Sequence, residues 1–417
     1  MIIKHSLPGA SARREQTPGR LLGPLRHGAG SPHPSSALAK FHAPEIVFGP
    51  GALAELGHCA VRLGGRRPFL VTDPGLIEAG WVDEALAYLR LRGLQPAVWH
   101  DVTPNPKDHE IEAAFERYAE TGGDVIIGLG GGSCIDAAKG VAILSGNGGR
   151  ILGYEGVDMV VRPIPPTVMV PSTSGTGADV SQFAVVTDTA ALIKITIISR
   201  TLVPEISVID PRLLTTMPDW LNAATGLDAL THAIEAFVSR AHNLLTDTHA
   251  LNAVGRITRH LLPTQLRPND TGPRLAMAQG SLEAGMAFTN AILGATHAMS
   301  HQVGGLLDLP HGVVNGVLLP HVIRFNARAC PERFVPLAVA AGVPAEGLAD
   351  DDAAPLLAER VRGLADELGV PGGLGALGVT EDMLPQLART TLQDACLATN
   401  PREAGLADIE AVFRAAL

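Results

Sequence analysis

Five side chains in this sequence carry donor atoms at spacings that can converge on one point. Asp228 and His232 are four apart in Gly226-Leu227-Asp228-Ala229-Leu230-Thr231-His232-Ala233, so on a helix both lie on one face. His297 and His301 repeat that spacing in Thr296-His297-Ala298-Met299-Ser300-His301, and His311 follows in Asp308-Leu309-Pro310-His311-Gly312. A lone helical histidine is more often a structural residue than a ligand. A group packed at turn spacing among Ala, Leu and Gly is harder to dismiss, because buried imidazoles and carboxylates need partners and a divalent cation supplies one. Nitrogen and oxygen donors without thiolate suit Fe2+, Zn2+, Co2+ or Mn2+, and spacing leaves open both the metal and which of His297 and His301 binds it. His321, after another Leu-Pro pair, is expected just outside the ligands.

A second set of residues has the chemistry of a phosphate cradle. Val125-Ile126-Ile127-Gly128-Leu129-Gly130-Gly131-Gly132-Ser133 runs from an apolar strand through glycines into a helix over Ile135 to Leu144. Such a turn points bare backbone N–H groups and the positive end of a helix dipole at a docking pyrophosphate. Gly131 and Gly132 would allow the close approach and Ser133 can donate a hydrogen bond, although the spacing is G-x-G-x-x-S and glycine turns also occur without ligands. The loop Pro171-Ser172-Thr173-Ser174-Gly175-Thr176-Gly177 again follows an apolar strand and offers hydroxyls to phosphate or ribose, while Ser/Thr-rich turns are often only turns. Asp73 ends the apolar run Phe69-Leu70-Val71-Thr72, where an acid can accept from a ribose hydroxyl; the alternative is an ordinary solvated Asp.

These residues need elements to position them. A chain of 417 residues exceeds the roughly 250 to 300 residues at which single cores stop growing, so two domains are expected. From 41 to 215, short β-rich runs (Glu45 to Phe48, Pro68 to Thr72, Val125 to Leu129, Thr167 to Val170, Phe183 to Thr187, Ile206 to Ile209) alternate with helical patterns, which implies an α/β domain with a mainly parallel, Rossmann-like sheet. Thr216-Met217-Pro218-Asp219 reads as an N-cap, a Pro in the first turn and a capping-box acid, opening an all-α domain over 216–417. The ligand then sits in the cleft between the two, with an apolar wall near Phe288, Leu306 and Leu307. Residues 1–40 carry Pro, Gly, Ser and Arg without apolar periodicity and read as a disordered extension.

Composition narrows the function classes. A net charge of −10 without a basic patch argues against nucleic acid as the main partner, and no apolar run approaches the roughly 20 residues of a membrane span. Cys59, Cys134, Cys330 and Cys396 lack CxxC spacing, against a thiolate site or disulfide framework and in favour of the cytoplasm.

Taken in order, the motifs resemble the iron-containing, or group III, alcohol dehydrogenases from about Phe41 to the C-terminus. The pieces are Pro44-Glu45-Ile46-Val47-Phe48-Gly49-Pro50-Gly51, the turn Gly130 to Ser133 with Asp136 and Lys139, the loop Pro171 to Gly177 with Phe183 to Asp188, the block His297 to His321, and Asp394-Ala395-Cys396 with Thr399-Asn400-Pro401-Arg402. The 40-residue extension and the serines within Pro171 to Gly177 depart from the commonest pattern. The resemblance implies metal ligands at Asp228, His232, His297 and His311, with His301 left free beside the nicotinamide as a proton acceptor. It implies cofactor contacts at Asp73, Gly131, Gly132, Ser133, Asp136, Ser172, Thr173, Thr176 and Lys194. It further implies NAD, with NADP as the alternative, one Fe2+ or Zn2+ ion, a small alcohol or aldehyde as substrate, and a homo-oligomer, commonly a dimer.

The nearest rival is a lyase of the dehydroquinate synthase type, which shares the two-domain plan but whose phosphorylated substrate demands Lys and Arg beside the metal; none occurs from Asp228 to Ala236 or from His297 to His311. A non-catalytic metal-binding assembly protein would keep the ligands without both cofactor loops. Because residues 1–40 lie outside the family match and carry no core pattern, their deletion is expected to leave melting temperature and turnover nearly unchanged. A loss of several degrees would show that the extension docks.

Overall fold

The structure is a computed structural model that describes residues 40–417 apart from Leu192, Asn269 and Glu346; the expectation for residues 1–40 therefore falls, but for Lys40, outside the described residues. The strands are β1 (Glu45–Phe48), β2 (Pro68–Val71), β3 (Ala97–Trp99), β4 (Val125–Gly130), β5 (Gly156–Val157), β6 (Thr167–Pro171), β7 (Phe183–Asp188), β8 (Ile193–Ile198) and β9 (Ile206–Ile209). Interleaved with them are α1 (Leu56–Arg62), α2 (Pro74–Glu78), α3 (Trp81–Leu91), α4 (Asp108–Thr121) and α5 (Gly132–Asn147).

Six strands form one parallel sheet in the order β1-β9-β6-β4-β2-β3. Alternate residues of its central strands serve opposite cores: Leu70, Ile127 and Val168 pack with α1 and α3, whereas Phe69, Ile126 and Met169 pack with α4 and α5. Burial of both faces explains why these strands read as unbroken apolar runs. From β2 the chain steps outward to β3, then returns to place β4 on the other side of β2. That reversal opens a crevice at the carboxyl ends of β2 and β4, where Asp73 and the glycine turn lie. β5, β8 and β7 make a smaller sheet, with β7 and β8 antiparallel.

Beyond β9 the chain is helical: α6 (Asp219–Val238), α7 (Leu244–Leu266), α8 (Thr271–Ala291), α9 (Ala295–Leu307), α10 (His311–Asn326), α11 (Phe334–Ala340), α12 (Asp350–Glu367), α13 (Leu384–Thr391) and α14 (Leu406–Ala415). The described residues from Lys40 to Leu417 form one compact unit. Among the described residues no helix is long and apolar enough to cross a membrane. Every residue of α6 from Asn222 to Val238 is buried, so this helix is the axis of the helical half. Its start differs from the expected Thr216 cap. Thr216 ends a 3-10 turn over Pro211–Thr216, Pro218 occupies the N-cap, and the Thr216 hydroxyl instead accepts from Trp81 Nε1 at 3.1 Å.

The approach of α10 to α6 depends on Gly312. A Cβ there would stand 2.0 Å from the Ala224 carbonyl oxygen and 3.2 Å from Asp228 Cβ, so any side chain would push His311 away from Asp228. Gly312→Ala is expected to cost about 1–3 kcal/mol, the usual range for overpacking, and to lower metal stoichiometry. Gly363→Ala in α12, where an added Cβ meets nothing within 4 Å, should leave the melting temperature unchanged or slightly raised. Thermal melts and metal analysis of both variants check this, and equal behaviour would refute the role given to Gly312.

Candidate functional site

Every residue singled out above for cofactor, metal or proton transfer lines one cleft of about 680 Å³ between the sheet's carboxyl edge and the helical half. At its inner end, α6 presents Asp228 and His232, α9 presents His297, and the first residue of α10 is His311. Asp228 Oδ1 lies 3.8 Å from His232 Nε2, 3.6 Å from His297 Nε2 and 3.8 Å from His311 Nε2. A tetrahedral cation with bonds of about 2.0–2.2 Å would set its ligand atoms about 3.3–3.6 Å apart, so the spacing is close to that of a ligand shell. Asp228, His297 and His311 have donors all within 4.8 Å of one another; His232 stands slightly outside that trio while remaining tied to Asp228.

Each imidazole is turned by a bond on its far nitrogen. His232 Nδ1 meets the Gly175 carbonyl at 3.2 Å, His297 Nδ1 meets Glu235 Oε2 at 2.7 Å, and His311 Nδ1 meets Ser300 Oγ at 3.2 Å. Anchors of this kind fix ring orientation and leave Nε2 facing the shared point. Glu235 also accepts from the N–H groups of Gly294 at 3.0 Å and Thr296 at 2.6 Å, so one carboxylate orients His297 and the start of its helix together.

The electrostatics of the cluster call for a cation. Burial alone would raise the Asp228 carboxyl, but the surrounding imidazoles outweigh it and hold it below the usual carboxylate range. Burial pushes His232 down to about 4 and His311 well below its ordinary value. For His297 burial acts the same way but is overcome by Asp228 and Glu235, which push it up to about 9. Two buried carboxylates thus share one imidazole proton, and a divalent ion supplies the missing positive charge. Asn315, one turn after His311, donates Nδ2 to Asp228 Oδ1 at 2.7 Å, while its own Oδ1 is buried without a partner. The residues present fit a metal.

His301 is outside this set. Its ring stacks on His311 with centroids 5.2 Å apart, and its Nδ1 is bound to Asp394 Oδ2 at 2.8 Å. Asp394 is held in turn by the Cys396 N–H at 2.9 Å and by Gln302 Nε2 at 3.3 Å. Spacing could not separate His297 from His301, but their placement differs: His297 Nε2 lies 3.6 Å from Asp228 Oδ1, whereas His301 groups with Asp394 and Cys396.

On the sheet side, Gly131 is the N-cap of α5, and the helix begins at Gly132, three residues earlier than expected. Asp73 caps α2 through Leu76 N–H at 3.0 Å. Thr173 Oγ1 is buried without a partner on the cleft wall, which fits a polar ligand. Asp136, pushed up to about 7 by burial, accepts from Val185 N–H at 3.3 Å. Lys194, pushed down to about 8 by burial, donates to Asn105 Oδ1 at 2.8 Å. Lys139 is fully buried and binds the carbonyls of Ser181 and Phe183, pinning β7 to α5.

Several expectations need correction. His321 lies ten residues beyond His311 on α10, about 15 Å along the axis, beside Arg324 and Arg362, so it is no neighbour of the ligands. Leu306 and Leu307 pack into the helical core; the apolar wall of the cleft is Phe288 with Phe183 and Leu293. Glu235, Asn315 and Asp394 were missed as supporting residues. Glu235 carried a signal, being an acid flanked by apolar residues in Ala233-Ile234-Glu235-Ala236-Phe237, three residues after His232.

A parallel sheet with a glycine turn, facing one carboxylate and three imidazoles across a cleft, defines a metal-dependent, nucleotide-linked enzyme. The chain belongs to the iron-containing alcohol dehydrogenase family: residues 43–211 match its family model, and residues 222–417 match the model of the family's C-terminal part. It is 41% identical over 371 residues to the 1,3-propanediol dehydrogenase of Citrobacter freundii, covering 88% of this chain and 96% of that one. With the NAD-dependent methanol dehydrogenase of Bacillus methanolicus it shares 36% identity over 377 residues, 90% of this chain and 99% of the other. A crystal structure of 1,3-propanediol oxidoreductase superposes with a TM-score of 0.88 at 40% identity, covering 91% of this chain and all of that one.

Asp228→Ala and His311→Ala are each expected to lose bound metal while keeping NADH affinity, since the glycine turn and the ligands stand on opposite walls of the cleft. Glu235→Ala should weaken metal binding about 10- to 100-fold, the usual worth of such an anchor. Metal analysis and fluorescence titration with NADH decide, and full occupancy in all three would remove the centre.

Proposed function

We propose that this enzyme catalyses reversible hydride transfer between a small alcohol and NAD+, giving an aldehyde or ketone, with Asp228, His232, His297 and His311 holding one divalent metal, Fe2+ or Zn2+. The observation that carries the reading is the continuity of the cleft from the glycine turn to the imidazole cluster. In the proposed division, residues 41–215 bind the nucleotide and 216–417 the metal. When bound, the metal supplies Lewis acidity at the substrate oxygen.

The chain's own residues do the rest. Gly131, Gly132 and Ser133 hold the pyrophosphate at the start of α5, with Ser172, Thr173 and Thr176 on the opposite lip. Asp136 and Lys194 border the inner part of the cofactor, and Asp73 accepts from the adenosine ribose. Phe183, Phe288 and Leu293 exclude water from the inner cleft. His301, with Nδ1 fixed by Asp394, keeps Nε2 for the alcohol proton, taken directly or through a water.

Among the described residues lining the cleft, Lys194 is the only lysine or arginine, which disfavours a phosphorylated substrate and hence the lyase alternative. It also favours NAD over NADP. The enzyme is taken as a homo-oligomer working in the cytoplasm, in keeping with its unpaired cysteines.

An NAD-coupled panel of alcohols and aldehydes, run on protein reconstituted separately with Fe2+ and Zn2+, tests the activity; no turnover with either metal would refute it. His301→Ala is expected to keep metal and NADH while turnover falls by roughly 10²- to 10⁴-fold, the usual worth of a positioned base. Near-normal turnover with an unchanged pH–rate profile would make His301 a packing residue.

A further inference from the structure

The carboxylate of Asp73 is held by a thiol that has no part in the proposed hydride transfer. β2 and β4 pair with Val71 beside Gly128, which carries Asp73 level with Gly130 two residues further on. Gly130 has a φ of 152°, and a Cβ there would stand 2.5 Å from Cys134 Sγ and 3.4 Å from Asp73 Oδ2. The space left by that missing side chain is where Cys134, in the first turn of α5, reaches across to Asp73 with Sγ to Oδ2 at 3.1 Å. The other oxygen, Oδ1, accepts from Leu76 N–H at the start of α2. Each carboxylate oxygen therefore has a donor from a different element, and together they fix the plane of the group. Cys134 is fully buried, and burial together with the Asp73 charge pushes the thiol well above its ordinary range, so it remains S–H and donates.

We propose that Cys134 is a positioning residue for coenzyme choice, its S–H holding Asp73 turned toward the adenosine ribose. So held, the carboxylate accepts from a 2′-hydroxyl and repels a 2′-phosphate. The inference rests on the reading that Asp73 meets that ribose. With one donor removed, the carboxylate keeps only the Leu76 anchor and can rotate about its last torsion, which is soft for Asp. It can then swing aside for a phosphate and meets the hydroxyl less well. Discrimination by repulsion depends on the charge staying in place, because among the described residues no lysine or arginine lines this end of the cleft to restrain it.

The test compares Cys134→Ala, Cys134→Val, Cys134→Ser and Asp73→Gly on metal-loaded enzyme. Two readouts are used: kcat and KM for NAD+ and NADP+, and dissociation constants for NADH and NADPH from fluorescence titration. Loss of one weak thiol hydrogen bond, which acts on the ribose only through Asp73, should raise KM for NAD+ and Kd for NADH about three- to tenfold in Cys134→Ala with kcat unchanged. The NADP+/NAD+ ratio of kcat/KM should rise by a similar factor. Cys134→Val, which keeps bulk but has no donor, should behave alike, and Cys134→Ser should stay within about twofold of the parent because its hydroxyl restores the bond. Asp73→Gly should raise the ratio further. If Asp73→Gly shifts the ratio and neither Cys134→Ala nor Cys134→Val does, even with a lowered melting temperature, the thiol has only a packing role and the proposal fails. If Asp73→Gly leaves the ratio unchanged, Asp73 is not at the ribose and both readings fall.

Discussion

The arrangement depends on one buried carboxylate. Asp228 brings its charge into the interior of the helical half, and three imidazoles from three helices turn toward a single one of its oxygens. An isolated buried carboxylate would be costly; here the imidazoles hold Asp228 ionised, and with Glu235 also held ionised and His297 pushed up to about 9, the group keeps a net negative charge that suits a cation. The site therefore fits a divalent cation. The surrounding structure serves this: Gly312 lets α10 approach α6, Glu235 sets the start of α9, and Gly175 and Ser300 aim the remaining rings.

The two halves divide the chemistry. Strand reversal between β2 and β4 makes the crevice on one wall, and the glycine turn there offers backbone N–H groups rather than cationic side chains. The opposite wall supplies nitrogen and oxygen donors and the His301–Asp394 pair. Asn105 joins the walls: its backbone N–H donates to Ser133 Oγ and its amide to Asp308, while Lys194 donates to its carbonyl. Both Asn105 and Asp308 adopt positive φ, at 58° and 49°, a conformation that Asn and Asp tolerate better than most residues. The polar bridge at the cleft is thus made by side chains whose backbones suit tight turns.

Much of this was legible in the sequence because the physics was local. Strands buried on both faces show as apolar runs, and i,i+4 donors on a helix declare a shared face. What failed to show depended on tertiary partners. Ala97–Trp99 is an edge strand of only three residues, too short to show a period, and Ile193–Ile198 is a strand completed by β7. Thr216 has the chemistry of a cap, but Trp81, distant in sequence, takes its hydroxyl. His321 shares the Leu-Pro context of His311, yet three turns of helix carry it away. Asp394 gave no hint of its role because its partner lies 93 residues earlier.

The proposed centre holds its cation by one carboxylate and three imidazoles, with His301 outside. X-ray absorption on the zinc-loaded protein tests it most directly, since multiple scattering counts imidazole rings. The expected spectrum has three imidazole nitrogens at about 2.0–2.1 Å with oxygen completing the shell. Four imidazoles would bring His301 into the shell, and two or fewer would break the quartet; either would contradict the account.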